Sequence, residues 1–263
     1  MTDQSDHRFA FGQNWQRYMA SVDDAQIAAA GQSLKDLLGV DNLDGKRFLD
    51  IGCGSGVFSQ AARRLGAEVH SFDYDGNSVA CTAALRDQDD DGDGWRIEQG
   101  SVLDRGYLNA LGRFDVVYAW GVLHHTGELR QATENATLTV ADGGTLVMAI
   151  YNDQGWISCY WLAVKRLYNS NPVARAAVVA FHLPYLFAAR ALVRAVRGQL
   201  ALERGMSLWH DMIDWLGGYP FEVATPEEVK AFAESCGFRQ LSVKTCGSRH
   251  GCNEFVFENR AKT

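Results

Sequence analysis

The stretch Phe48-Leu49-Asp50-Ile51-Gly52-Cys53-Gly54-Ser55-Gly56 constrains this chain more than any other. An apolar strand meets an acidic residue, three glycines follow at alternate positions, and an apolar helical pattern begins at Val57-Phe58-Ser59-Gln60-Ala61-Ala62. Glycines at a strand–helix junction let the backbone turn sharply and let a ligand approach it closely. About 20 residues further on, Val69-His70-Ser71-Phe72-Asp73 is a second short strand ending in a carboxylate, at the spacing for gripping a ribose diol. The glycines read G-x-G-x-G, not the G-x-G-x-x-G that seats a pyrophosphate on a helix end. A carboxylate at the mouth of the turn, Asp50, would repel a pyrophosphate and suits a ligand bearing an ammonium or sulfonium charge.

The chain around this turn alternates strand and helix. Strands are expected at 47–51, 68–73, 95–100, 114–120 and 145–151, with helices over 9–40, 78–86 and 128–140. This spacing means right-handed crossovers and a parallel, doubly wound α/β sheet. From Trp156 to Leu216 the alternation stops and nearly everything reads as helix, with breaks expected at Asn171-Pro172 and Leu183-Pro184. A segment of that length is a helical insertion or cap, not a loop. Thr225-Pro226-Glu227-Glu228 starts another helix, with Thr as N-cap and Pro at the first position. Two last strands, 238–245 and 253–259, form a terminal hairpin. The expected organisation is a helical lid over 1–40, a core over 41–155, the insertion over 156–222, and a helix plus hairpin over 223–263 that complete the core.

Charge is distributed unevenly. The 263 residues carry a net −7, yet Trp156 to Arg204 holds seven basic residues and one acid, so this segment is +6 and the remainder −13. A local contact with something anionic is the functional reading, and a solvated basic helix face the plain one. No run of about 18 uncharged apolar residues exists there, so the segment cannot span a bilayer but could lie on one or cover a hydrophobic substrate. The six cysteines are scattered without a C-x-x-C pair, and no secretory signal opens the sequence, so reduced, cytoplasmic thiols are expected. The acidic run Asp87-Gln88-Asp89-Asp90-Asp91-Gly92-Asp93 through Glu98 matches a calcium-loop pattern, but its eighth position is Gly94 and its end is needed for the third strand. It reads as a solvated turn, and no metal is expected.

The D-x-G-x-G-x-G run with the later Asp73 resembles the S-adenosylmethionine (SAM) site of class I methyltransferases. The resemblance covers most of the chain and implies a seven-stranded sheet of order 3-2-1-4-5-7-6 with an antiparallel terminal pair. It implies SAM contacts from Asp50, Gly52, Cys53, Gly54, Gly56, Asp73 and Tyr74. The segment Gly100-Ser101-Val102-Leu103-Asp104 falls where the family flanks the adenine, often with an acidic residue where Ser101 stands. Recognition there would lean on backbone groups and Val102. Trp120-Gly121-Val122-Leu123-His124-His125 resembles the V-L-H-H segment of methyltransferases related to ubiquinone and menaquinone biosynthesis, which puts Trp120 and Gly121 along the cofactor cleft. In related enzymes the helix before the first strand folds over the cofactor, which makes Trp15 and Tyr18 candidates for a lid.

Methyl transfer to a hydroxyl requires alignment and removal of the acceptor's proton. Histidine suits that task near neutral pH. The candidates are His125, after the fourth strand, and His210, whose helical spacing to Asp214 puts a carboxylate on the same face. The segment around His210 and the terminal turn around His250 look like ones shared by methyltransferases encoded with sugar and cell-surface biosynthesis genes. The leading expectation is therefore O-methylation of a small-molecule acceptor, a sugar or cell-surface intermediate with an anionic part. C-methylation of a prenylated quinol and non-catalytic SAM binding are the alternatives. Nucleic acid is disfavoured by a pI near 5.5 and by the lack of an Asn/Asp-Pro-Pro-Tyr-type segment after the fourth strand. The expectations leave the oligomeric state open.

Overall fold

The computed structural model describes residues 9, 11–12, 22–88, 94–197, 213, 215–247 and 251–260, with the side chains of 187–197 excepted. Helix α1 (Asp24–Leu38) begins at a capping box, in which Asp23 accepts from the Gln26 N–H and the Gln26 side chain accepts from the Asp23 N–H. The sequence predicts a helix from residue 9, and most of 10–21 lies outside the described residues. Then come β1 (Arg47–Ile51), α2 (Val57–Arg64), β2 (Glu68–Asp73), α3 (Gly76–Arg86), β3 (Trp95–Gln99), α4 (Arg105–Leu111), β4 (Phe114–Trp120), a 3₁₀ turn (Leu123–His125), α5 (Leu129–Thr137) and β5 (Val140–Tyr151). The insertion forms α6 (Trp156–Ser170) and α7 (Pro172–Arg197), and the chain closes with α8 (Pro226–Ser235), β6 (Phe238–Lys244) and β7 (Cys252–Asn259).

The seven strands stand in the order β3-β2-β1-β4-β5-β7-β6, with β7 antiparallel to both neighbours. This is the doubly wound α/β sheet expected from the sequence. β1 pairs in parallel with β2 on one side and β4 on the other, so the sheet reverses its winding between β1 and β4. Ligands of open α/β sheets bind at that switch point, beyond the carboxyl ends of the strands.

Both faces of β1 are covered, which is why Phe48-Leu49-Asp50-Ile51 is entirely buried. Its alternation divides the core. Leu49 and Ile51 join Phe72, Leu108, Val117, Phe255 and Phe257 on one face. Phe48 joins Val57, Ala61, Val69, Trp95 and Tyr118 on the other. Each such side chain contributes roughly 1.5–3 kcal/mol on burial. A third cluster, Trp161, Val164, Tyr168, Val178, Leu186, Leu216 and Phe221, packs with Phe9 and Tyr151 and fixes the insertion against the carboxyl end of β5.

Two elements differ from expectation. β5 starts at Val140, not Thr145, because Val140 pairs with Phe114 before the register jumps to Thr145 opposite Val116. α7 also continues through Pro184, where a break was expected. Pro184 is exposed, so the carbonyl deprived of its helical partner can turn to water. The break at Asn171-Pro172 is present, and the Asn171 side chain caps α7 by accepting from the Ala174 N–H (2.9 Å).

Candidate active site

A cavity of about 580 Å³ opens at the carboxyl ends of β1, β2, β3 and β4. Its floor is the glycine turn after β1. Gly52 has φ +75°, and a Cβ there would drive into the Val122 side chain. Only glycine lets the turn pass under the β4 loop. The Gly52 and Cys53 N–H groups donate to the Phe72 carbonyl at 2.8 and 3.2 Å, which ties the turn to the end of β2.

Asp73 closes one side of the cavity. Its Oδ2 accepts from the Gly54 N–H (3.0 Å) and its Oδ1 from the Asp75 N–H (2.9 Å). Burial pushes its pKa up, and the backbone donors oppose that shift. A carboxylate held from behind in this way keeps its remaining lone pairs for a pair of ligand hydroxyls. Tyr74, Gln99, Gly100, Ser101, Val102 and Leu103 continue the wall. Ser101 is occupied locally, its Oγ accepting from the Leu103 N–H (3.2 Å).

Asp50 corrects the sequence expectation. It shares its strand face with Phe48, so it points towards α2 and not into the cavity. Its carboxylate accepts from Ser59 Oγ (2.5 Å), and Ser59 lies 2.7 Å from Ser71 Oγ, which accepts from Trp95 Nε1. Burial, reinforced by the Asp73 charge, pushes its pKa up to about 7. Cys53 also turns inward, accepting from Thr82 Oγ1 (3.2 Å), and burial holds its thiol well above the usual range. Gly54 and Gly56 shape the turn without lining the cavity. Neither Trp120 nor Gly121 is among the lining residues, and Trp120 packs on the α1–α2 side of the sheet instead. Val122, the next residue, takes the place expected of them.

The other end of the cavity is aromatic. Phe9, Phe11, Tyr219, His125, Thr126 and Val122 line it. Phe11 packs on the His125 ring with centroids 4.8 Å apart. Two backbone bonds hold this N-terminal stretch over the cleft. The Gly12 N–H donates to Asp75 Oδ2 (2.9 Å), and the Phe9 N–H donates to the Tyr219 carbonyl (3.0 Å). A Cβ on Gly12 would meet the Asp75 carboxylate at 2.5 Å, so this close approach requires glycine. The sequence reading placed the lid aromatics at Trp15 and Tyr18, which lie outside the described residues. It did not single out Phe9, Phe11 and Tyr219 for the site, although the density of aromatic residues around them was the available signal.

His125 is brought to the cavity and His124 is not. The ring Nδ1 of His125 lies 2.6 Å from the Pro220 carbonyl. A carbonyl only accepts, so Nδ1 carries a proton, and in the neutral ring Nε2 carries the lone pair. His124 is wholly buried against Tyr151, with ring centroids 4.0 Å apart, and burial holds it well below the usual histidine range. His210 and Asp214, the other candidate base and its orienting carboxylate, lie outside the described residues, as do His250 and most of the acidic run 89–93.

The segment 215–222, returning from the insertion, carries the Pro220 carbonyl and is tied at both ends. On the insertion side, Lys165 Nζ donates to the Trp215 carbonyl and Asn169 Nδ2 to the Gly217 carbonyl (2.7 Å). Lys165 is fully buried, its ammonium surrounded by the rings of Trp215 and Phe221 at 4.8 Å and Tyr151 at 5.9 Å. On the core side, the Glu222 N–H donates to the His124 carbonyl (3.0 Å), and the Glu222 carboxylate accepts from the Leu129 N–H at the start of α5 (3.0 and 3.1 Å). Burial raises the pKa of Glu222 despite these donors.

A family profile described as "Methyltransferase domain" matches residues 20–199, more than half of the chain. The chain belongs to this methyltransferase domain family. Among its relatives, the ubiquinone biosynthesis O-methyltransferase of Methylobacterium sp. (strain 4-46) is 30% identical over 125 residues, covering 48% of this chain and 49% of that protein. The protein of the same name from Psychrobacter arcticus is 30% identical over 110 residues, 42% of each. The aligned part thus spans half or less of the length of the curated relatives. Among solved structures, magnesium protoporphyrin IX methyltransferase from Synechocystis PCC 6803, with bound SAH, superimposes with a TM-score of 0.56 at 14% identity, over 95% of this chain and 94% of that one. At that identity the likeness speaks for the methyltransferase fold.

Proposed function

We propose that this methyltransferase domain transfers the methyl group of SAM to the hydroxyl oxygen of an aromatic small-molecule acceptor. The observation that carries this reading is one continuous cavity with a ribose-type carboxylate, Asp73, at one end and a lone-pair-bearing histidine nitrogen, His125 Nε2, at the other. The residues present fit SAM. The volume suits a nucleoside bearing an amino-acid chain, the glycine turn permits close backbone approach, and the cavity wall near Gln99–Leu103 has room for a base. When bound, SAM supplies an electrophilic methyl group.

Every other task falls to the chain. Asp73 holds the ribose hydroxyls. Phe9, Phe11 and Tyr219 sandwich a flat acceptor and keep water from it. His125 Nε2 takes the acceptor's hydroxyl proton as the oxygen attacks, while Nδ1 stays fixed on the Pro220 carbonyl. An aromatic acceptor is preferred over the sugar-type acceptor with an anionic part, because no lysine or arginine is among the described lining residues. The names of the relatives point the same way.

The test is methyl transfer from labelled SAM to a panel of catechols, quinols and sugar nucleotides, with mass analysis separating O- from C-methyl products. His125→Ala should lower turnover about 100-fold or more and leave SAM affinity unchanged. Full turnover in that variant removes His125 as the base, and a C-methylated quinol as the sole product replaces this reading with the alternative.

A further inference from the structure

The two insertion helices are apolar on both faces: the inner one packs Trp161, Val164, Tyr168, Val178 and Leu186, and the outer one exposes a second apolar stripe. A helix on a protein surface buries its apolar stripe and shows polar residues to water. The inner faces of α6 and α7 are apolar and also admit a few polar groups. Ser158, Lys165 and His182 are buried, and His182 is bonded on both sides: Nδ1 donates to the Val178 carbonyl (2.8 Å), so Nε2 accepts from the Tyr160 hydroxyl (2.7 Å). The outer faces are apolar. On α6 the exposed stripe is Trp156, Tyr160 and Leu167, which helical spacing places within one narrow arc. On α7 it is Val173, Phe181 and Tyr185, with Ala176, Ala177, Ala180 and Pro184 also exposed. Trp156 is 78% exposed, Phe181 76% and Val173 80%.

The charge on these helices has one sign. Residues 156–197 contain Lys165, Arg166, Arg175, Arg190, Arg194 and Arg197, and not one aspartate or glutamate, in a chain whose net charge is −7. Arg166 and Arg175 are exposed, the Arg175 guanidinium lying over the Tyr168 ring (5.1 Å). Exposed aromatics on helices whose charged residues are all basic are the pattern of a helix that lies in the plane of an anionic bilayer surface. Among the described residues no helix is long and apolar enough to cross a membrane.

We propose that the outer face of α6 and α7 docks on an anionic phospholipid surface, with Trp156, Tyr160, Phe181 and Tyr185 at headgroup depth and the exposed Arg166 and Arg175 against the phosphates. A protein partner with an acidic groove would meet the same charge. The breadth of the apolar face across two helices, with its Trp and Tyr side chains, favours the lipid. The proposal stands without any assumption about the methyl acceptor. α6 leaves the carboxyl end of β5, so the insertion starts at the same end of the sheet as the cavity.

The test uses the full chain in sedimentation with sonicated vesicles, either of phosphatidylcholine alone or of phosphatidylcholine with about one quarter phosphatidylglycerol. The chain should pellet with the anionic vesicles, much less with the neutral ones, and should be released as salt is raised well above physiological strength. The triple variant Trp156→Ser, Phe181→Ser, Tyr185→Ser changes only exposed side chains. It should weaken vesicle binding by about tenfold or more while thermal melting and SAM affinity stay as in the wild type. Three results overturn the proposal: no binding to anionic vesicles, equal binding by the triple variant, or a wild-type dimer in solution that the variant dissociates while neither form binds vesicles.

Discussion

Two carboxylates at the strand ends, Asp50 and Asp73, sit close enough for the Asp73 charge to help raise the pKa of Asp50, yet they are held in opposite ways. Asp73 receives the Gly54 and Asp75 N–H groups and faces the cavity, where it is proposed to hold the ribose hydroxyls. Asp73→Ala should weaken SAM binding by about 1–3 kcal/mol, as expected for hydrogen bonds to a charged acceptor. Titration calorimetry that finds wild-type affinity would remove Asp73 from the site. Asp50 receives only a serine hydroxyl and is pushed up to about 7. Its folded pKa lies above the unfolded carboxylate value, so the folded state binds the proton more tightly. Stability is then full below about pH 4 and falls as pH rises towards 7. Asp50→Asn keeps an acceptor for Ser59 and has no charge to bury. It should abolish that loss and be more stable than the wild type at pH 8 by roughly 2–4 kcal/mol. Melting curves at pH 5 and pH 8 check this, and an unchanged pH dependence in the variant counts against the assignment.

At the scale of elements, the candidate base depends on a segment far from it in sequence. The turn holding His125 follows β4, but the carbonyl that fixes its tautomer comes from residue 220, beyond the insertion. That carbonyl is positioned by the ties of 215–222 to α6, chiefly Lys165 and Asn169, and to the His124 carbonyl. Lys165→Met keeps the length of the side chain while removing its charge and its bond to the Trp215 carbonyl. The orphaned carbonyl should cost about 1–3 kcal/mol. More tellingly, turnover should fall and its pH profile should move, because Pro220 no longer holds His125, while SAM affinity is unaffected. A variant with lowered stability but wild-type turnover and pH profile would confine Lys165 to packing.

Over the whole molecule, a strongly acidic core carries a cationic, outwardly apolar pair of helices, while the cavity among the described residues is lined by no cation. Charge should therefore govern where the protein sits more than what it binds. For an acceptor free in solution, raising salt from about 0.1 to 0.5 M should leave KM nearly constant, because the lining has no lysine or arginine to screen. With the acceptor embedded in anionic vesicles, the same change should raise the apparent KM several-fold, because the enzyme leaves the surface. A marked salt effect on the free acceptor would restore the anionic acceptor expected from the sequence.

The sequence by itself determined the sheet and the glycine turn at its carboxyl ends. Strand positions, the glycine turn and the carboxylate closing β2 are local patterns of period and spacing, and local patterns survive without knowledge of neighbours. The methyltransferase family followed from the same residues. What only the tertiary structure decided depends on which way a side chain points and what meets it from elsewhere. The alternation along β1 turns Asp50 from the cavity to Ser59. Folding brings Phe9 and Phe11 from the N-terminus, Tyr219 from beyond the insertion and His125 from after β4 into one aromatic pocket. The continuation of α7 through Pro184 likewise depends on solvent at that face, which no local rule records. Contacts across 100 and more residues leave no mark in a window of ten, and the aromatic end of this cavity is made almost wholly of such contacts.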